Sequence, residues 1–127
     1  MSQPPESAKT ILLVEDNEQN MKLQTDLLQA QGYNLLQSVD GRDVLQLAED
    51  HHPDLIIMDI GLPGVSGVDL IKLLKAKDTL RGIPILAVTA FAMKSDEQLI
   101  RAAGCDSYMA KPISINEFLE SVKKLSR

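Results

Sequence analysis

Cysteine is nearly absent from this sequence of 127 residues, in which Cys105 stands alone. An internal disulfide is therefore excluded, and a reducing compartment fits best. No apolar run approaches the roughly 20 residues that a membrane-spanning helix requires. The opening residues MSQPPESAKT also lack the apolar segment of a secretory signal. Together these absences favour a cytoplasmic protein over a membrane or secreted one.

Positive charge is in deficit, because 13 Lys and Arg face 18 Asp and Glu, which gives a formal net charge of −5. Nucleic acid and anionic membranes attract basic surfaces, so we expect neither as a partner. The sequence contains neither a GxGxxG motif nor a P-loop, which leaves dinucleotide or FMN binding without support. The two histidines, His51 and His52, lack any further ligand set, and we interpret them as solvated loop residues.

Short apolar runs are the main structural signal that is present. ILLV at 11–14, LIIM at 55–58 and ILAV at 85–88 are each continuous rather than alternating with polar residues. Continuous runs of this length are typical of strands that are buried on both faces of a parallel sheet. Two segments of mixed polarity, residues 34–39 and 106–110, predict further strands nearer the sheet edges.

Helical periodicity follows each predicted strand, at residues 17–30, 41–50 and 67–75 and in two later segments. Gly32 is a candidate stop for the first helix, and Ser66 is a candidate N-cap for the third. The segments SDEQ at 95–98 and SINE at 114–117 have the capping-box form. Five strand–helix units predict an α/β doubly wound (βα)5 domain with a five-stranded parallel sheet. For this sheet we assume the strand order 2-1-3-4-5, which is the flavodoxin-like order common among such domains.

Carboxylates, a hydroxyl and a lysine follow the predicted strands. The residues concerned are Glu15 and Asp16 after the first strand, Asp59 after the third, Thr89 after the fourth and Lys111 after the fifth. In an open parallel sheet, ligands bind beyond the carboxyl ends of the strands. With the predicted strand order, Asp59 lies between the acid pair and Thr89, and Lys111 lies one strand beyond.

Three carboxylates at one sheet edge repel one another, and partial burial penalises their charge further. Lys111 offsets one unit of charge, and a divalent cation would offset two more. Oxygen ligands without nearby His or Cys indicate a hard ion, which is Mg²⁺ in the first place, with Mn²⁺ as an alternative. A carboxylate, Mg²⁺, a lysine and a hydroxyl together match the requirements of phosphoryl transfer.

The segments LLVEDN, LIIMDIGLPGVSG, AVTAFAMK and YMAKPI resemble the receiver domains of bacterial response regulators, the CheY-like family. The resemblance begins near residue 9, so we expect a flexible lead over residues 1–8 and a receiver domain over residues 9–127. It implies a single-domain response regulator of a two-component system or phosphorelay. Such a protein is not an enzyme for outside substrates, although it catalyses its own phosphorylation and dephosphorylation.

The resemblance also implies partners: a sensor histidine kinase or a histidine phosphotransfer protein, and a downstream regulatory protein. Asp59 would accept the phosphoryl group. Asp16 would ligate Mg²⁺ directly together with Asp59, Glu15 would do so largely through water, and Gly61 would contribute its backbone carbonyl. The similarity further suggests control of the cell cycle or of cell division, and we expect a monomer.

Five more positions take roles from the same resemblance. Lys111 would pair with one phosphoryl oxygen, and Thr89 would move to hydrogen-bond another with help from the Ala90 amide. Tyr108 occupies the aromatic switch position of the family, and the Lys111–Pro112 bond is expected to be cis. Phosphorylation would then change the surface made by the fourth helix, the fifth strand and the fifth helix.

Two other functions stay open at this point. A metal-dependent phosphatase of the haloacid-dehalogenase type also forms an aspartyl phosphate, but its second acid would stand at Gly61, and cap insertions are absent. A receiver that only docks and accepts no phosphate conflicts with the complete set of acids, threonine and lysine. Gly61 and Phe91 are the departures from the family pattern, and both are expected to affect the lifetime of the aspartyl phosphate.

Overall fold

The computed structural model describes residues 8–62, 64–90 and 94–126. The lead predicted over residues 1–8 therefore lies outside the described residues except for its last residue, and Phe91 lies outside them too. The elements alternate along the chain as β1 (Thr10–Val14), α1 (Glu18–Ala30), β2 (Asn34–Ser38), α2 (Val44–His51), β3 (Leu55–Asp59), α3 (Gly67–Ala76), β4 (Ile85–Thr89), α4 (Lys94–Ala102), β5 (Ser107–Ala110) and α5 (Ile115–Leu125).

The five strands form one parallel sheet of order β2-β1-β3-β4-β5, which confirms the predicted fold class. Strands β3 and β4 are buried throughout, and β1 is buried from its second residue onward. Strands β2 and β5 lie at the edges and are only partly buried. The contrast follows from the sequence, since continuous apolar runs occupy the centre and segments of mixed polarity occupy the edges.

Two apolar clusters cover the two faces of the sheet. Leu12 and Ile56 pack in a cluster that includes buried residues of α2, α3 and α4. Their chain neighbours Leu13 and Ile57 pack on the opposite face, against residues of α1 and α5 that include the fully buried Phe118. Successive residues of a strand point to opposite faces, so each central strand contributes apolar side chains to both clusters. Polar side chains of the site therefore stand at or just past the carboxyl ends of the strands.

Helix ends agree only in part with the sequence-based expectations. Gly32 has φ of +91° just after α1, and the Ser66 hydroxyl accepts a hydrogen bond from the Asp69 amide at 3.2 Å, as predicted. Ser114 stands at the N-cap of α5 but makes no side-chain cap hydrogen bond, so the capping box predicted there is wrong. The first turn of α5 is exposed, and water can satisfy its amides instead.

Two helix starts differ from the prediction. The structure describes α4 from Lys94, so residue 95 is a helical residue and not the N-cap that the capping-box form of residues 95–98 predicts. Helix α2 begins at Val44 rather than at residue 41, because Gly41 has φ of +80° and cannot belong to a right-handed helix. Among the described helices, none combines the length and apolar character that crossing a bilayer demands.

Candidate functional site

The sheet carries the predicted site residues to one edge. Asp59 is the last residue of β3, and Thr89 is the last residue of β4. Just past β1, the Glu15 amide donates to the Ser38 carbonyl at 3.0 Å, and just past β5, the Lys111 amide donates to the Thr89 carbonyl at 2.8 Å. These bonds continue the parallel ladder beyond the strands, so the backbones of Glu15 and Lys111 are hydrogen-bonded to the sheet.

Three carboxylates meet at this edge. Glu15, Asp16 and Asp59 each place one oxygen within 4.8 Å of the others. Glu15 is 2% exposed and Asp59 is 4% exposed, whereas Asp16 is open to solvent. The cluster therefore joins two buried acids to one accessible acid, which is an arrangement that a small cation can reach from the solvent side.

Lys111 bridges the two buried acids. Its Nζ lies 3.1 Å from Glu15 Oε1 and 3.0 Å from Asp59 Oδ2, and its side chain is 20% exposed. The predicted strand order brings Lys111 near Asp59, but it does not predict the bond between Lys111 and Glu15. One ammonium thus serves two carboxylates, which leaves the cluster short of positive charge.

Backbone amides hold the remaining oxygens of the buried acids. The Asn17 amide donates to Glu15 Oε2 at 3.1 Å, and the Gly61 amide donates to Asp59 Oδ1 at 2.9 Å. Sequence reasoning missed both donors, since it considered only the carbonyl of Gly61 and gave Asn17 no role. Asn17 also caps α1 by accepting the Asn20 amide at 2.9 Å, and this N-cap position was the available signal.

Two groups of the cluster, Glu15 and Lys111, have pKa values that are shifted by their surroundings. Burial raises the pKa of Glu15 above its ordinary value, and nearby Asp59 raises it further, against the Asn17 amide and Lys111. Burial opposes the charge of Lys111, but hydrogen bonds to Asp59 and Glu15 outweigh this and raise the pKa of Lys111. Both shifts have one origin, which is an excess of carboxylates in a poorly solvated place.

The other predicted positions lie around this cluster. Thr89 is fully buried, Ala90 follows it and is exposed, and the Lys111–Pro112 peptide bond is cis. Tyr108 is half-buried on β5, and the guanidinium carbon of Arg101 lies 5.5 Å from the centroid of its ring. The contact between Arg101 and Tyr108 was not foreseen from the sequence.

Gly67 supports the turn that follows Asp59. A Cβ atom at Gly67 would lie 2.8 Å from the Cα atom of Ile60, which is a backbone atom next to the site. We expect Gly67→Ala to lower the free energy of unfolding by about 1–3 kcal/mol, because the clash displaces backbone rather than a flexible side chain. Urea unfolding measures this loss.

Gly82→Ala is the matched control, since a Cβ atom there meets no atom within 4 Å. We expect it to change the free energy of unfolding by no more than about 0.5 kcal/mol, or to stabilise the protein slightly. Equal unfolding midpoints for the two variants would show that the backbone at Ile60 yields without cost.

Comparison with known proteins agrees with the fold. Residues 11–123 match the family model of the response regulator receiver domain. The chain therefore belongs to the response regulator receiver domain family. It is similar to the polar-differentiation response regulator DivK of Brucella ovis, with 54% identity over 115 residues that cover 91% of this chain and 94% of the relative. DivK of Brucella anthropi matches with the same identity and coverage.

Solved structures give the same assignment. A putative response regulator from Chloroflexus aurantiacus superposes with a TM-score of 0.89 at 29% identity, over 94% of this chain and 98% of the other. The receiver domain of the sensor histidine kinase PA1611 from Pseudomonas aeruginosa has a TM-score of 0.86 at 32% identity with the same coverage. That receiver domain holds a magnesium ion in its active-site cleft.

Proposed function

We propose that this protein is a phosphorylation-controlled signalling protein in which Asp59 accepts a phosphoryl group from a histidine kinase or a histidine phosphotransfer protein. The observation that carries the proposal is the position of Asp59. It is almost fully buried, lies 3.0 Å from an ammonium, and belongs to a three-carboxylate cluster at the carboxyl edge of a parallel sheet. A nucleophile, the Lys111 ammonium and a cation site are thereby within reach of one phosphorus atom.

The donor set fits Mg²⁺, with Mn²⁺ as an alternative, because every candidate ligand is a carboxylate or carbonyl oxygen. Asp16, Asp59 and the Gly61 carbonyl would hold the ion directly, and Glu15 would hold it largely through water. When bound, Mg²⁺ neutralises charge on the phosphoryl oxygens and orients them for in-line transfer. The magnesium-bound Pseudomonas relative, which shares this fold, supports the assignment.

In the transfer step, a carboxylate oxygen of Asp59 forms a bond to phosphorus as the phosphorus–nitrogen bond of the donor phosphohistidine breaks. The electron pair of that bond stays on the imidazole nitrogen, and the product is an aspartyl phosphate. Little covalent chemistry is required of the protein, so its contribution is positioning and charge neutralisation. The Gly61 amide and Lys111 already fix the two oxygens of Asp59 before a donor arrives.

The new phosphoryl group adds roughly −1.5 to −2 units of charge, and the residues around it respond. Lys111 pairs with one phosphoryl oxygen, while the Thr89 hydroxyl and the Ala90 amide bind others. Tyr108 then turns toward the space that Thr89 leaves, and the surface of α4, β5 and α5 changes. Such a response requires two states of the surface, of which phosphorylation favours one.

The readout we propose is binding of that surface to another protein. The relatives from Brucella are named for polar differentiation. By analogy with them, we propose that this protein acts in cell-cycle or cell-division control.

Intact mass measurement tests the proposal. The protein is incubated with acetyl phosphate and Mg²⁺, and we expect a gain of one phosphoryl group that fragmentation locates in the peptide containing Asp59. EDTA in place of Mg²⁺ is the matched control and should prevent the gain. Rapid multiple turnover of phosphoester substrates would instead indicate a phosphatase, and the absence of an adduct with acetyl phosphate and with a phosphohistidine donor would indicate a docking protein.

A further inference from the structure

Helix α4 holds the ring of Tyr108 from outside the phosphorylation site. The Arg101 guanidinium carbon lies 5.5 Å from the ring centroid, within the range in which a cation is attracted to an aromatic face. Glu97, one turn earlier on α4, accepts a hydrogen bond from Arg101 Nε at 2.8 Å. The carboxylate therefore restrains the guanidinium, and the guanidinium in turn covers the ring.

The Arg101–Tyr108 contact lies on the face of the sheet that carries Thr89. In the β4–β5 ladder, Tyr108 pairs with Ala87, which is two residues before Thr89 and so shares its face. Tyr108 packs against the same apolar cluster as Ala87 and as Ile100 of α4. The Tyr108 ring and the Thr89 side chain therefore lie on the same face of the sheet, on neighbouring strands.

We propose that Arg101 is a positioning residue that holds Tyr108 at the α4–β5 junction and thereby opposes the phosphorylated arrangement of the protein. The inference rests on the proposed function and deepens it, because it assigns the resting state a specific restraint. The contacts of Arg101 that the described residues show are with Glu97 and Tyr108, and the proposal assigns its effect on phosphoryl binding to the contact with Tyr108.

The expected effect of replacing Arg101 follows from the strength of its contact with Tyr108. A partly exposed cation–aromatic contact corresponds to about a two- to fivefold population ratio, and the exposed bond to Glu97 adds little by itself. Loss of the restraint should therefore favour the phosphorylated arrangement by about two- to fivefold. By linkage, the same factor should appear in the affinity for a phosphoryl analogue that requires that arrangement.

Two measurements on Arg101→Gln test the inference. The first is the apparent affinity for beryllofluoride in the presence of Mg²⁺, which we expect to rise about two- to fivefold. The second is the NMR spectrum of ring-¹³C tyrosine, which is simple because Tyr33 and Tyr108 are the only tyrosines. Tyr33→Phe assigns the resonances, and in Arg101→Gln the Tyr108 signal should move toward its position in the beryllofluoride-bound wild type.

Three further variants make the test specific. Arg81→Gln removes the same charge from another exposed arginine, which pairs with Asp78 at 3.4 Å, and should leave both readouts unchanged. Arg101→Lys keeps the charge and should give intermediate values. In a Tyr108→Leu background, Arg101→Gln should have no effect on beryllofluoride affinity, because the partner through which it acts is missing.

The outcomes separate the inference from the proposed function. A wild type that binds beryllofluoride, together with an Arg101→Gln variant of equal affinity and unchanged Tyr108 signal, would overturn the role of Arg101 alone. An equal gain in affinity in the Tyr108→Leu background would also overturn it. A wild type without any response to Mg²⁺ and beryllofluoride would overturn the proposed function, and the inference with it.

Discussion

Replacement of Asp59 by asparagine is expected to abolish uptake of a phosphoryl group while the protein stays folded. An amide oxygen is a poor nucleophile, and the remaining acids of the cluster, Glu15 and Asp16, follow β1 rather than β3, so neither stands at the position of Asp59. The side chain keeps its shape, so the core beneath it is undisturbed. The adduct seen with wild type after incubation with acetyl phosphate and Mg²⁺ should be missing at all incubation times.

The same variant should bind Mg²⁺ at least about tenfold more weakly, since it loses one of three carboxylates around the cation site. Isothermal titration calorimetry measures this loss. Asp69→Asn is the matched control, because Asp69 is exposed in the first turn of α3. Should Asp59→Asn take up a phosphoryl group at the wild-type rate, the acceptor would be a different residue, and the proposed role of Asp59 would be wrong.

Much of the fold could be predicted because its signals are local. Four-residue apolar runs such as LIIM at 55–58 are too short for helices and too apolar for exposed strands, which leaves the centre of a parallel sheet. Once the strand order is set, topology carries the ends of β1, β3, β4 and β5 to one edge. That is why Asp59 and Lys111, 52 residues apart, could be expected to meet.

The details that could not be predicted depend on distances between segments. Which carboxylate Lys111 would bind depends on the reach of one side chain across two strands, and the chosen geometry includes Glu15 as well as Asp59. The contact between Arg101 and Tyr108 depends on where α4 lies against β5. Periodicity identifies the buried face of a helix, but not the partner of a half-exposed arginine.

The charges of the site explain why a lysine and a cation both belong there. Ionised Glu15, Asp16 and Asp59 contribute three negative charges, and Lys111 returns one positive charge. The remaining two negative charges are balanced by the two positive charges of one Mg²⁺. Burial makes each uncompensated charge costly. Without a bound cation, the two buried acids therefore depend on the positive charge of Lys111.

Replacement of Lys111 by methionine, which keeps most of the side-chain volume, is therefore expected to lower the free energy of unfolding by about 3 kcal/mol at neutral pH without divalent ions. Glu15 and Asp59 would then lie buried without a cation. Burial and nearby Asp59 already raise the pKa of Glu15, and the loss of Lys111 would raise it further above its unfolded value. The free energy of unfolding would recover as the pH falls toward the unfolded-state pKa of about 4. It would be lost as the pH rises through the higher folded-state pKa.

Urea unfolding at several pH values, with and without Mg²⁺, measures the free energy of unfolding of both proteins. Both acid and Mg²⁺ should reduce the difference between Lys111→Met and wild type. Lys22→Met is the matched control, because its pair with Asp26 is exposed on both sides and should be worth no more than about 0.5 kcal/mol. Phosphorylated Lys111→Met should also leave the Tyr108 ring signal at its resting position, since the link from Asp59 is cut. A loss equal to that of the control, with no dependence on pH or Mg²⁺, would mean that solvent rather than Lys111 compensates the buried acids.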